Sequence, residues 1–229
     1  MTDVAAAELT PRAQQTRTAI VEAALALFRE RGYDATTMRE IAARAGVSTG
    51  NAYYYFGSKE ELIQEFYATS HAEHLAASRA LLEAEGGLDE LGARLRATLR
   101  ALIGVLEPYH AFAAMFYKHA AEPSSPLSPF STESSPAREA EIGLYRDLVN
   151  GSSARMPADV RERLPELLWL MQMGVILYWV HDTSPGRART YHLIDVTAPV
   201  AARLIAATRI PMLRSTVGDL ATLFDDLRG

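Results

Sequence analysis

The stretch Thr36–Lys59, TTMREIAARAGVSTGNAYYYFGSK, decides the fold. It reads as two short helices joined by a tight turn, followed by the start of a third. In the first piece, Met38 to Ala45, the residues Met38, Ile41, Ala42 and Ala45 recur at i, i+3, i+4, i+7 and share one face. Thr37 precedes it and Glu40 follows three residues on, a capping box that satisfies free N–H groups of the first turn. Gly46 stops the helix, because a residue without Cβ turns the backbone at little steric cost. Ser48 caps a second piece, Thr49 to Phe56. Ser58 and Glu61 repeat the capping-box pattern at the next helix start. Two short helices around a Gly-containing turn make the helix-turn-helix pattern, whose second helix lies in the DNA major groove. The competing reading is a small helical hairpin with aromatic packing.

The second helix carries the argument further. Ala52 and Phe56 are i, i+4 and face inward with Val47, which leaves Thr49, Gly50, Tyr53 and Tyr54 pointing out. Two outward tyrosines on so short a helix are not explained by solubility. Each offers a hydroxyl for a phosphate oxygen or base edge and a ring for a thymine methyl. Gly50 inside the helix costs roughly 0.5–1 kcal/mol relative to alanine, and it permits close approach to another surface. From Arg44 to Lys59 there are two cations and no acid, in a chain of net charge −5.

The region from about Thr16 to Phe66, with AIVEAALALFRERGYDATTMREIAARAGVSTGNAYYYFGSKEEL at its heart, resembles the DNA-binding domain of TetR-family transcriptional regulators. The matches stand at fixed spacing: a helix, Gly-Tyr, Thr-Thr, Ile-Ala-x-x-Ala-Gly-Val-Ser, Gly-x-x-Tyr-Tyr-x-Phe, then a Lys. The resemblance implies a homodimer, an all-helical effector-binding domain behind the head, and usually repression relieved by a small molecule. Carried over by position, it implies Thr49 and Tyr53 as base readers, Gly50 as the point of close approach, and Tyr54, Tyr55, Thr37 and Lys59 as phosphate contacts. Ser48 and Asn51 complete the DNA-facing set. The expected partner is a double-stranded, near-palindromic operator. Repression is the leading expectation, with an activator or an architectural DNA binder without inducer as the alternative.

The rest of the 229 residues fits such a regulator. There are no cysteines, so disulfides and thiolate metal sites are excluded. Met1 to Leu9 has neither the basic nor the apolar region of a secretory signal, and residues 1–10 are expected to be a disordered tail. The apolar run Leu167 to Val180 is shorter than the ~18 residues of a membrane span. A cytoplasmic protein without membrane contact or cofactor is expected. Charge alone would not suggest DNA, since Pro11–Glu61 holds seven Arg/Lys against six Asp/Glu. Arg12 and Arg17 could reach phosphate or the minor groove, or simply form a solvated helix face.

The expected architecture is all-α: a three-helix helix-turn-helix domain over 11–57 and a helical ligand-binding and dimerisation domain over 58–229. The long helix from Lys59 to about Ala84 is the natural lever between them. His71 and His74 on it are i, i+3, a spacing that suits a metal; with no third ligand in sight, a polar face is the expectation and no metal site is assigned. Leu88, Leu91, Leu95, Leu99, Leu102 and Leu106 form a core stripe. Glu122 to Pro136 is too rich in proline for helix, and serves as a lid or a connector. Expected ligand-binding residues are Phe112, Phe116, His119, Tyr145, Trp169, Gln172 and Met173, bulky adaptable groups with a few polar ones among them. The helices Ala158–His181 and about Arg187–Thr208 have apolar surface to spare. A symmetric four-helix contact is expected there, through Trp169, Ile176, Trp179, Ile194, Ala198, Ala201, Ala202 and Ile205. A last amphipathic helix carries Val217, Leu220, Leu223, Phe224 and Leu227. An enzyme is the rival class, but there is no Gly-rich phosphate loop and no Gly-x-Ser-x-Gly. His181-Asp182 sits at a helix end.

Overall fold

The computed structural model describes residues 10–84, 88–122 and 124–209. Regular structure among them is entirely helical: α1 Pro11–Arg31, α2 Met38–Arg44, α3 Thr49–Tyr55, α4 Lys59–Glu83, α5 Leu91–Leu106, α6 His110–Ala120, α7 Ser135–Asn150, α8 Ala158–His181 and α9 Ala188–Ala207. The chain divides into two compact units. The first comprises Met1–Thr69 and Ala111–Ser134, the second Ser70–His110 and Ser135–Gly229. The division thus falls inside α4 rather than at 57/58, and the first unit takes in α6 and the loop after it. The expected N-terminal tail up to Leu9 and the last amphipathic helix lie outside the described residues.

In the first unit, local chemistry sets each helix end. Thr10 Oγ1 accepts the Ala13 N–H, Pro11 follows it, and Gly32 at φ 87° ends α1. Both halves of the first capping box form: Thr37 Oγ1 accepts the Glu40 N–H at 3.3 Å, and Glu40 Oε2 accepts the Thr37 N–H at 2.9 Å. Gly46 turns the chain at φ 71°, a left-handed conformation that glycine adopts without strain. Ser48 Oγ accepts the Asn51 N–H at 3.1 Å and opens α3. The second capping box forms by half. Ser58 Oγ accepts the Glu61 N–H, but Glu61 Oε2 takes the N–H of Gly57. Ile20, Ala24, Leu27, Phe28, Met38, Ile41, Ala52, Phe56, Leu62, Ile63 and Phe66 close the core, each at 6% exposure or less. Thr37→Ala is expected to cost about 1 kcal/mol, read as a lower urea midpoint with unchanged helicity.

The proline-rich segment belongs to this unit. Gln64 Nε2 donates to the Pro126 carbonyl at 2.8 Å and Tyr67 Oη to that of Leu127 at 3.4 Å, so the segment is tied to α4. Leu127 is buried and anchors it, while Phe130 stands 59% exposed. Phe112 of α6 stacks on Phe28 at 6.0 Å and meets Phe66 edge-on at 5.7 Å.

In the second unit, Leu91, Leu95, Leu99 and Leu102 of α5 are buried as their spacing requires, and α5 packs chiefly on α9, α7 on α8. The α5–α9 contact is close because the meeting residues are small. A Cβ built on Gly92 would stand 3.2 Å from Ala202 Cβ and from the Pro199 backbone. Gly92→Val is therefore expected to lose about 1–3 kcal/mol by overpacking, measured as a drop in melting temperature. Buried Asp182 accepts the N–H groups of Ser184 and Thr190 and the Thr190 hydroxyl, tying the end of α8 to the start of α9. Burial raises its carboxyl, but those hydrogen bonds outweigh it and hold the group well below the usual range. His181-Asp182 is thus a structural corner.

This packing corrects the expected dimer face. Trp169, Trp179, Ile194 and Ala198 are at most 3% exposed within one chain, so they are protomer core and not interface. Ile205 is also buried, and Ile176, Ala201 and Ala202 are half-buried. Small residues do permit close helix approach here, but to α5 of the same chain. The apolar side chains left outside are Leu177 and Tyr178 on α8 and Val196, Val200 and Leu204 on α9, the last three at i, i+4, i+8. No helix among the described residues is long and apolar enough to cross a membrane.

Candidate functional site

The helix-turn-helix head presents α3 outward. Ala52 and Phe56 are buried and fix its roll, while Gly50 and Asn51 are exposed, Tyr53 is 52% and Tyr54 81% exposed. The Tyr54 ring rests edge-on against Tyr55 at 5.3 Å, and Tyr55 itself is half-buried. Thr49 is half-buried and Ser48 exposed. Nothing lies within 4 Å of a Cβ placed on Gly50, so the missing side chain is not required by packing inside this chain.

Other members of the expected DNA-facing set carry structural work as well. Thr37 Oγ1 also donates to Glu40 Oε2 at 2.8 Å, which commits its hydroxyl to the cap. Lys59 Nζ donates to the Tyr33 carbonyl at 2.7 Å and lies 4.3 Å from the Tyr33 ring centroid. That leaves two of its three donors for another acceptor. The Tyr33 hydroxyl in turn donates to Glu60, and burial, with that hydrogen bond, raises it well above its ordinary range. Arg17 pairs with Glu65 and lies 5.0 Å over the Phe56 ring, so it braces the head and is not a solvated face. Arg31 and Arg44 pair with Glu40 and Glu30. Arg12, Arg29 and Arg39 are exposed. Arg39, on α2, is the cation that periodicity did not single out, since a charged residue outside the apolar stripe carries no pattern.

The second unit holds a buried polar cluster. His71 Nδ1 and His74 Nδ1 stand 2.7 and 2.9 Å from Glu141 Oε1, and His74 Nε2 is 3.1 Å from the Thr98 carbonyl oxygen. His74 and Glu141 are fully buried. The polar face expected of the two histidines meets a carboxylate of α7, with His74 buried and His71 part-buried. Among the described residues no group of three or more His, Cys, Asp or Glu could hold a metal ion. Burial pushes the Glu141 carboxyl up, but hydrogen bonds from the two histidines, with their charge, prevail and bring it down to about 2. The fold thus favours the ionised form. The stability this contributes is complete above the ordinary value of 4.5 and is lost as the pH falls from there to about 2. Urea midpoints should drop through that window, and Glu141→Gln should flatten the drop.

Of the expected ligand residues, the structure joins Tyr145 and Gln172. The Tyr145 hydroxyl donates to Gln172 Oε1 at 2.6 Å, both groups being buried. Burial first, and the Glu141 charge second, raise the tyrosine far above its usual range and keep it protonated. Trp169 is buried nearby in sequence on α8 and Met173 is half-buried. Phe112 is placed elsewhere, in the aromatic core of the first unit. The side chains of Phe116 and His119 lie outside what is described.

A three-helix head whose second helix-turn-helix element is capped by Ser48 and turned outward defines a helix-turn-helix DNA-binding protein. The family model for bacterial regulatory proteins of the tetR family matches residues 20–66, and that for the tetracyclin repressor-like C-terminal domain matches residues 94–223. The chain belongs to the TetR family of DNA-binding transcriptional regulators, which are not enzymes. It is 33% identical over 153 residues to the transcriptional repressor KstR2 of Rhodococcus jostii, covering 63% of this chain and 70% of that one. It is 44% identical over 80 residues to the probable transcriptional regulator ArpR of Pseudomonas putida, a match that spans 35% of this chain and only 38% of that relative. A putative TetR-family regulator from Syntrophomonas wolfei superposes with a TM-score of 0.65 at 19% identity, covering 82% of this chain and 95% of that one. That likeness bears on the fold alone.

Proposed function

We propose that the chain acts as a homodimeric repressor, released from a near-palindromic operator by a small apolar or amphipathic molecule. The observation that carries this is α3, held by buried Ala52 and Phe56 while Tyr53 and Tyr54 stand in solvent. In this reading Thr49 and Tyr53 read bases, Gly50 allows close approach, and Ser48, Asn51, Tyr54, Tyr55, Thr37 and Lys59 support the helix on the backbone. Exposed Arg39 adds a phosphate contact. Arg39→Ala is then expected to weaken all duplexes alike and to lower the salt slope by about 1, measured by fluorescence anisotropy.

The second copy is held through Leu177, Tyr178, Val196, Val200 and Leu204, the apolar side chains that α8 and α9 leave uncovered. The effector is held in the second unit, around Tyr145, Trp169, Gln172 and Met173. It shifts the dimer toward a spacing of heads that no longer fits adjacent grooves. Couplings of this kind are about 1–3 kcal/mol, a 5–150-fold change in affinity. A reporter assay with and without the gene tests the sign: repression by the chain supports this reading, and activation contradicts it.

A further inference from the structure

Among the side-chain atoms of the second unit that are buried without a hydrogen-bond partner are Ser78 Oγ on α4, Thr98 Oγ1 on α5, Glu141 Oε2 on α7 and Gln172 Nε2 on α8. All four residues are at 0% exposure. Leaving a buried polar group without a partner is costly, more so if it is charged, and folded proteins keep only a few, each of which calls for an explanation. These four belong to one connected seam. His74 joins Glu141 to the Thr98 backbone, and Ser78 is one turn beyond His74 on α4. Tyr145 is one turn beyond Glu141 on α7 and its hydroxyl holds Gln172. This seam thus leaves an acceptor, a donor and two hydroxyls unmatched across four helices.

Building on the effector-responsive reading above, we propose that the effector is a neutral amphipathic molecule bound through a hydroxyl group between Glu141 and Gln172. A hydroxyl donates to Glu141 Oε2 and accepts from Gln172 Nε2 with one small group. It serves equally if the Gln172 carboxamide is turned over, because it can give or take the bond. A carboxylate has no proton to donate to Glu141 Oε2 and would set acceptor against acceptor there, with a second negative charge beside the first. An ammonium has no lone pair for Gln172, and His71 and His74 already face the Glu141 carboxylate. The apolar body of the ligand lies along α7 and α8, whose buried Leu148, Trp169 and Val175 supply hydrophobic surface.

The test uses the full chain and matched straight-chain probes of six to ten carbons: 1-alkanols, the corresponding carboxylates and the corresponding amines, at neutral pH. Calorimetry and thermal shift should show alkanol binding at least about tenfold tighter than carboxylate of equal length. Glu141→Gln removes the repelling charge and should narrow that ratio to below threefold; if this variant does not fold, the head-group preference of the natural protein decides alone. Equal or tighter carboxylate or amine binding, or no alkanol binding at any length, overturns the proposal. Operator binding is measured on the same preparation. If it persists when alkanols fail, the effector class falls and the regulator reading stands; if it is absent too, both fall.

Discussion

Replacing Tyr53 and Tyr54 together by alanine should abolish specific DNA binding while leaving the fold intact. Losing the Tyr53 contact to a base edge costs about 1–3 kcal/mol, and losing the Tyr54 contact to the backbone adds to it, together roughly 100-fold in affinity. The fold should hold because both rings stand outside the core, Tyr54 at 81% exposure, and surface truncations of this kind usually change stability by no more than about 0.5 kcal/mol. The contrast is Phe56→Ala. That ring is 1% exposed, and removing it should cost about 3–5 kcal/mol and unfold the head. Anisotropy with a selected duplex, paired with a melting curve, separates the two effects. Unchanged binding by the double tyrosine variant would remove α3 from the DNA.

Changing Val200 and Leu204 together to glutamate should give a folded monomer. Both side chains are exposed in a single chain, so the substitution leaves the protomer core untouched. In a dimer the same positions would bring four like charges into a buried interface, a strongly unfavourable arrangement. Two linked heads gain roughly 10²–10⁴ over one through effective concentration, so operator affinity should fall by about 100-fold or more as the partner is lost. Sedimentation velocity reads the mass and anisotropy the affinity. A variant that remains dimeric places the interface elsewhere.

What the amino-acid pattern discloses here follows from range. The ends of α1, α2 and α3 are set by neighbours three or four residues apart, Thr10, Thr37–Glu40, Gly46 and Ser48, and these were legible. So was the roll of α3, because Ala52 and Phe56 are one turn apart. The face of α9 that meets its own chain was not legible. Two apolar stripes of similar strength compete there, and the choice depends on residues such as Gly92, about a hundred residues away, whose missing side chain lets Ala198 and Ala202 come close. Glu141 was missed for the same reason: His71 and His74 find it across about seventy residues, and a lone glutamate on α7 carries no local signal. Phe112 was assigned to a ligand site on chemistry, yet its partners Phe28 and Phe66 are set by tertiary packing. Lys59 showed its charge in the sequence, but not the Tyr33 carbonyl that holds it.

In vitro selection from a random duplex pool with the purified full chain tests directly whether α3 is a recognition helix displayed in symmetric pairs. The enriched sequence should be a near-palindrome, with half-sites centred one helical turn, about 10 base pairs, or a simple multiple apart, and the Tyr53, Tyr54 variant should enrich nothing. Enrichment of a single asymmetric site, or none by the natural protein, would contradict it.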